Sequence, residues 1–314
     1  MPNLWWWAGF LALILGLLSL DLGVFNRRAH APSVREALGW SAVWVALAAA
    51  FGGWIGRSMG TGAMLEFYAG YLVEQALSVD NLFVFILIFG YFKIPEALQH
   101  RVLFWGILGA LILRGAMIAL GAAMLAQFHW IIYLFGAFLV FTGIKMAVGG
   151  DTEVEPEANP VIRLLRRLLP ITTQFHGEQF FVREAVTAGA PLCWVATPLF
   201  VVLALVETTD VVFAVDSIPA VFGVTRQPFI VFTSNVFAIL GLRSLYFVLT
   251  NVMGRFHLLK YGLSVVLTFV GAKMLVAETI PIGTGLSLVV VIAVLGASVL
   301  LSLVVPQKAD HTNG

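Results

Sequence analysis

Charge is scarce in this chain. Only 11% of its 314 residues are Asp, Glu, Lys or Arg, 60% are hydrophobic, and mean hydropathy is +0.96. A soluble domain is nearer a quarter charged and half apolar, so a water-soluble globule is excluded. Net charge is +1, which leaves no global field to attract nucleic acid or an acidic partner. Cysteine is nearly missing: Cys193 alone rules out an internal disulfide and any cysteine-built metal site, and a small packing residue is its expected role. No Lys or Arg precedes the first apolar run. That run is too long for the core of a cleavable signal and reads as a retained first span. A phosphate-cradling loop, a nucleophile elbow and a zinc-protease motif are absent as well. No enzymatic chemistry, ATP hydrolysis or prosthetic group is therefore expected.

What is present is apolar length. A spanning helix needs about 20 mostly apolar residues. Nine segments qualify: Leu4 to Phe25, Leu38 to Gly56, Met64 to Phe89, Val102 to Ala126, Trp130 to Val148, Leu192 to Val224, Phe229 to Thr250, Leu258 to Ala277, and Gly285 to Val305. The fold class is an all-α membrane protein, a single transmembrane domain over 1–314. The third and sixth segments exceed the requirement, as a tilted, broken or extended helix would.

Loop charge gives the orientation. One set of loops holds twelve basic residues: Arg27, Arg28, Arg35, Lys93, Arg101, Arg163, Arg166, Arg167, Arg183, Arg255, Lys260 and Lys308. The alternating set holds two, Arg57 and Arg226. Basic loops stay in the cytoplasm, so the N-terminus is expected outside and the C-terminus inside. The connection from Gly149 to Pro191 opens on DTEVEPEANP, a flexible cytoplasmic linker by composition. IRLLRRLL reads equally as a basic helix on the anionic inner leaflet or a solvated loop. HGEQFFVREAVTAGAPLC reads as a small hairpin. Trp5, Trp6 and Trp7 suit an aromatic belt at the outer interface.

Two apolar runs carry the same acidic pattern. VEQALSVDNLFVF holds Glu74, Asp80 and Asn81; VETTDVVFAVDSIPAVF holds Glu207, Asp210, Asp216 and Ser217. Laying Glu74 on Asp210 puts Asp80 on Asp216 and Asn81 on Ser217. Arg114 then matches Arg243, and Lys145 matches Lys273. The spacings are 34 and 31 residues in the first copy, 27 and 30 in the second. Each copy covers three spans, 64–148 and 192–277, with two leading helices over 4–56, a cytoplasmic loop over 149–191 and a final helix over 285–305. Three is odd, so the copies must lie upside down relative to each other. Inverted repeats are a transporter architecture with the substrate near the midplane.

An ionised carboxylate in a span costs about 2.5–3.5 kcal/mol or more on insertion scales. Five lie deep here: Glu74, Asp80, Glu207, Asp210 and Asp216, with Asp21 nearer the end of the first span. On regular helices Glu74, Ser78 and Asn81 share a face, as do Glu207, Asp210 and Ser217. Asp80 and Asp216 stand roughly 100° away, unless a kink at Pro219 redirects them. These are hard oxygen donors suited to Mn²⁺, Mg²⁺ or Ca²⁺. His30, His100, His129, His176, His257 and His311 all fall in or near loops. The alternative is structural, with Arg114 and Arg243 pairing the acids. Five acids against two deep arginines leave negative charge for a cation or protons.

EQALSVDNLFVF, VETTDVVFAVDSIPAVF, SNVFAILGLRSLYF, FGAFLVFTGIKM and LDLGVFNRRAH resemble the TerC family of integral membrane proteins, near its Alx branch, from Leu20 to Met274. The resemblance implies a family named for tellurite resistance, whose bacterial members export Mn²⁺ from the cytoplasm, with kinship to LysE-like exporters. It implies Glu74, Asp80, Asp210 and Asp216 as the intramembrane acids, with Asn81 and Ser217 beside the aspartates. TAGAPLCWVATPLF is longer than the family's usual lead into the sixth span. The expected function is a secondary transporter in a bacterial inner membrane. Mn²⁺ would be its substrate, bound between the third and sixth spans, with protons as counter-ion. The competing expectation is a membrane component of a tellurite or envelope-stress system, acting through protein partners, with the acids structural. A membrane-embedded metal enzyme would lack a nucleophile or base beyond the acids themselves.

Overall fold

The computed structural model describes residues 4–20, 33–128, 130–149, 160–184, 192–252, 258–277, 279–280 and 282–304. Asp21, Arg27, Arg28, Arg255 and the linker at 151–159 lie outside these. So does the side chain of Asp80, although its backbone is helical.

The chain forms α1 (Leu4–Leu20), α2 (Val34–Met59), α3 (Thr61–Tyr91), α4 (Glu96–Gln127), α5 (Ile131–Val148), α6 (Pro160–Leu168), β1 (Phe181–Glu184), β2 (Cys193–Ala196), α7 (Pro198–Val224), α8 (Pro228–Val252), α9 (Leu259–Leu275) and α10 (Thr284–Val304). Among the described residues seven helices, α2, α3, α4, α5, α7, α8 and α10, are long and apolar enough to cross a membrane. Nine were expected. The other two segments, α1 and α9, form helices of 17 residues each, about 26 Å at 1.5 Å per residue.

Local chemistry sets the boundaries. Pro160, Pro198 and Pro228 each open a helix, where the missing N–H has no intrahelical partner to lose. Gly60, at φ 94°, ends α2 and starts α3, a backbone conformation that glycine adopts freely. The sixth span was expected from Leu192, but its helix begins only at Pro198. Residues Cys193–Ala196 pair instead with Phe181–Glu184 as the antiparallel hairpin β1–β2, Phe181 opposite Ala196 and Glu184 opposite Cys193. Thr197 Oγ1 donates to the Gln179 carbonyl at 2.8 Å and holds the hairpin against the start of α7. IRLLRRLL forms α6. α7 continues as helix through Pro219.

Contacts between helices fix their directions. α3 and α7 run antiparallel: Glu66 near the start of α3 accepts from Thr225 at the end of α7 at 2.5 Å, and Gly70 faces Val221. α4 and α7 run parallel, with Gly106 facing Val206 and Gly121 facing Phe222. α3 and α8 run parallel, Phe67 packing on Phe237 and Phe89 on Tyr246. α5 and α9 run antiparallel along a seam of small residues. Gly136 meets Gly271 there, and Gly143 meets Ser264, whose hydroxyl donates to the Gly143 carbonyl at 2.6 Å. Small residues let helix backbones approach closely where no water is available to drive association.

Two ends of the bundle can be told apart. Arg101 at the start of α4 pairs with Glu178 beside the hairpin at 2.5 Å and lies over the Phe180 ring. Lys260 donates to the Gly149 carbonyl at 2.9 Å. Glu66, Thr225 and Gln227 mark the opposite end. Phe10, Phe51, Phe67, Phe229 and Phe237 pack α1, α2, α3 and α8 together. Ile112, Phe141 and Leu286 face outward, as expected where lipid is the solvent.

Candidate functional site

The acids meet where α3, α4 and α7 converge. Arg114 of α4 is 1% exposed and reaches both neighbours. Its Nε and Nη2 donate to the two Asp210 oxygens at 3.1 and 2.8 Å, a bidentate fork. Its Nη1 donates to Glu74 Oε1. Glu74 is fully buried and Asp210 nearly so. Glu74 and Asp210 are the residues that coincide when the two acidic stretches are overlaid, so one guanidinium joins the matching acids of both stretches. Planar Arg suits such a fork. Two carboxylates around one guanidinium still leave a formal charge of −1. Glu74 Oε2 has no hydrogen-bond partner among the described residues.

Glu207 points elsewhere. Its carboxylate lies across Gly109 of α4, where any β-carbon would collide with it. Its Oε2 is buried without a hydrogen-bond partner among the described residues. Asp216 turns away from Arg114 towards α5, accepting from Thr142 at 3.4 Å and feeling the charge of Lys145. Off-stripe placement of Asp216 was expected from helix geometry. Ser78 and Asn81 on α3 and Ser217 on α7 are buried, and Ser78 Oγ, Asn81 Nδ2 and Ser217 Oγ carry no hydrogen bond among the described residues. A cavity of about 20 Å³ lies beside the clamp, lined by Asp210 and Arg243 among apolar side chains of α3, α4, α7 and α8. That is room for one water-sized body.

The seven expected ligands thus divide. Glu74 and Asp210 meet through Arg114; Glu207 and Asp216 stand apart from them; the side chain of Asp80 is outside those described. Among the described residues no three His, Cys, Asp or Glu converge as they would to hold a metal ion. Sequence reasoning also passed over Glu66. It accepts from Thr225 at 2.5 Å and Gln227 at 3.4 Å, and Lys273 lies within its field. The signal was available, since Glu66 falls inside the expected third span.

Similarity to other proteins covers nearly the whole chain. The integral membrane protein TerC family matches residues 59–310. "Uncharacterized membrane protein STKORF319" of Myxococcus xanthus is 52% identical over 98% of this chain and 94% of its own. "Putative membrane-bound redox modulator Alx" of Escherichia coli (strain K12) is 46% identical over 98% and 97%. An "Uncharacterized membrane protein" of Rickettsia bellii is 38% identical over 97% and 99%. No solved structure matches.

Proposed function

The chain belongs to the TerC family of integral membrane proteins, and from that premise we propose that it is a secondary transporter exporting a hard divalent cation, Mn²⁺ first, across a bacterial inner membrane. Proton exchange is the proposed coupling, and no enzymatic step is invoked. The observation that carries the reading is the surplus of buried carboxylate at the junction of α3, α4 and α7. Glu74 Oε2 at that junction and Glu207 Oε2 across Gly109 lack hydrogen-bond partners among the described residues. Buried anionic oxygen without a partner is costly, and a hard cation is the group that such oxygens accept.

The inverted-repeat reading draws support from the α5–α9 seam. The overlay that lays Lys145 on Lys273 lays Gly143 on Gly271 and Gly136 on Ser264. It converts the contact Gly136–Gly271 into Ser264–Gly143, which is the other contact of the seam. A pseudo-two-fold axis through the seam requires this exchange. The antiparallel run of α3 and α7, and the parallel run of α4 and α7, agree with three-span copies of opposite sense. The basic hairpin end is the proposed cytoplasmic face, by loop charge.

The proposed ligands remain Glu74, Asp80, Asn81, Glu207, Asp210, Asp216 and Ser217. Their spread along α3 and α7 favours successive stations on a path over a single cage. The test is Mn²⁺ efflux from vesicles carrying the protein, against Asp80→Asn and Asp216→Asn at equal protein level. Loss of efflux in both is expected; wild-type rates in both would sink the reading. An uncoupler that leaves the rate unchanged under an imposed pH gradient would remove proton coupling alone.

The Arg114 clamp favours a second reading, in which the acids are struts. The chain would then be a membrane component of a redox or stress system acting through partners, in line with the name of the E. coli relative. Asp80→Asn and Asp216→Asn would then reduce the amount of folded protein, not the rate per folded molecule.

A further inference from the structure

Asn235 has no part in the reading above. It lies on α8 at 1% exposure, and neither its amide oxygen nor its nitrogen has a hydrogen-bond partner among the described residues. Its neighbours are satisfied: Thr233 and Ser234 donate to the carbonyls of Ile230 and Val231 at 3.3 and 3.2 Å. A buried donor or acceptor left unbonded costs about 1–3 kcal/mol. Asparagine in a transmembrane bundle ordinarily bonds across helices as glue. Here that bond is not made among the described residues.

The contacts of α8 place this amide. Phe232 packs against Gly115 of α4, while Ile239, Leu242 and Arg243 share a cavity with Gly106, Ile107 and Ala110. As α8 rises, α4 descends, so Asn235 stands level with the residues just before Gly115, where Arg114 is. Ser234 also touches Gly70 of α3, one turn before Glu74. On α7 the register runs Glu66 to Thr225 and Gly70 to Val221, which brings Ser217 level with Glu74 one turn on. Ser217 Oγ is buried and unbonded among the described residues as well. All four central helices therefore bring a polar group to within about one helical turn of Glu74, and three of these groups hold oxygen capacity unused among the described residues: Glu74 Oε2, Ser217 Oγ and Asn235 Oδ1.

We propose that Asn235 is a specificity-determining residue of the transport site, its Oδ1 supplying a neutral oxygen ligand to the divalent cation beside Glu74 Oε2 and Ser217 Oγ. The inference rests on the transport reading and deepens it. A neutral carbonyl raises the oxygen count without adding a charge that Arg114 would compete for, and Mn²⁺ takes octahedral oxygen sets.

The experiment uses the purified full-length protein in detergent, with Asn235→Leu and Asn235→Asp. Melting is followed with and without millimolar MnCl₂, and Mn²⁺ efflux is measured in proteoliposomes. Asn235→Leu should keep or raise the metal-free melting temperature, because an unbonded amide is removed. It should abolish the Mn²⁺-induced rise and increase the half-saturating Mn²⁺ at least tenfold. Asn235→Asp should retain the Mn²⁺ response and alter the preference for Mn²⁺ over Mg²⁺. A drop in the metal-free melting temperature of Asn235→Leu with the Mn²⁺-induced rise intact marks Asn235 as structural and overturns the proposal. A wild-type Mn²⁺ response in Asn235→Leu overturns it too, while the transport reading stands. No Mn²⁺ response in the wild-type protein by either measurement overturns both.

Discussion

When Glu74 is laid on Asp210, Tyr71 of α3 occupies the place that Glu207 holds in α7. Laying Arg114 on Arg243 likewise sets Gly109 of α4 against Ala238 of α8. At the Tyr71 and Ala238 positions the side chains are apolar: Tyr71 of α3 is buried and stacks on Phe67, with ring centroids 6.4 Å apart, and Ala238 of α8 is fully enclosed. At the equivalent positions the Glu207 carboxylate of α7 lies on the bare backbone of Gly109 of α4. The acidic pattern is shared, but its flank is aromatic in one copy and anionic in the other. The rims differ as well, since Glu66 of α3 coincides with Val202 in α7. Under the proposed inverted-repeat reading, unequal flanks would give the two sides of a membrane unequal routes to the same centre.

Removing what the copies share should have the largest effect. Arg114→Leu would leave Glu74 and Asp210 buried without their cation, at about 3–5 kcal/mol. The expected outcome is little folded protein in a detergent melt, and a wild-type melt would show that the clamp does not tie the copies together. Next comes the corner that differs. Gly109→Ala drives a methyl into the Glu207 carboxylate and should cost about 1–3 kcal/mol. Adding Glu207→Ala should recover most of that, whereas Ala238→Gly in the other copy should cost about 1 kcal/mol or less. Equal losses from the two single changes would erase the asymmetry. At the rim, Thr225→Val removes the shortest hydrogen bond to Glu66 and should lower stability by about 1 kcal/mol. Thr142→Val, which removes a long 3.4 Å hydrogen bond to Asp216, should shift the melt by under about 0.5 kcal/mol.

Most of the helical framework was legible in the sequence, because apolar runs of that length have few other solutions. Each of the nine expected segments coincides with a helix, seven of them of spanning length. The start of the sixth was misplaced because Cys193–Ala196 is apolar yet β-paired, and hydropathy cannot distinguish a strand leading into a helix from the helix itself. That Glu74 and Asp210 are special was readable from their burial in apolar runs. That one arginine serves both was not, because it depends on the register of α4 against α3 and α7. Helix periodicity correctly set Asp216 apart. It could not send Glu207 to Gly109, since that contact exists only where α4 and α7 touch. Asn235 had no charge to draw notice, and its unbonded amide is a property of the packed bundle.

The seam between α5 and α9 sets a mechanical limit. At Gly136–Gly271 and Gly143–Ser264 backbone meets backbone with almost no side-chain volume between, so the joint has no slack to absorb sliding. If the chain works as the transporter proposed above, exposing the centre to one face and then the other, these two helices would move as a single rigid axle, with the displacement taken up by the bulkier contacts around α3, α4, α7 and α8.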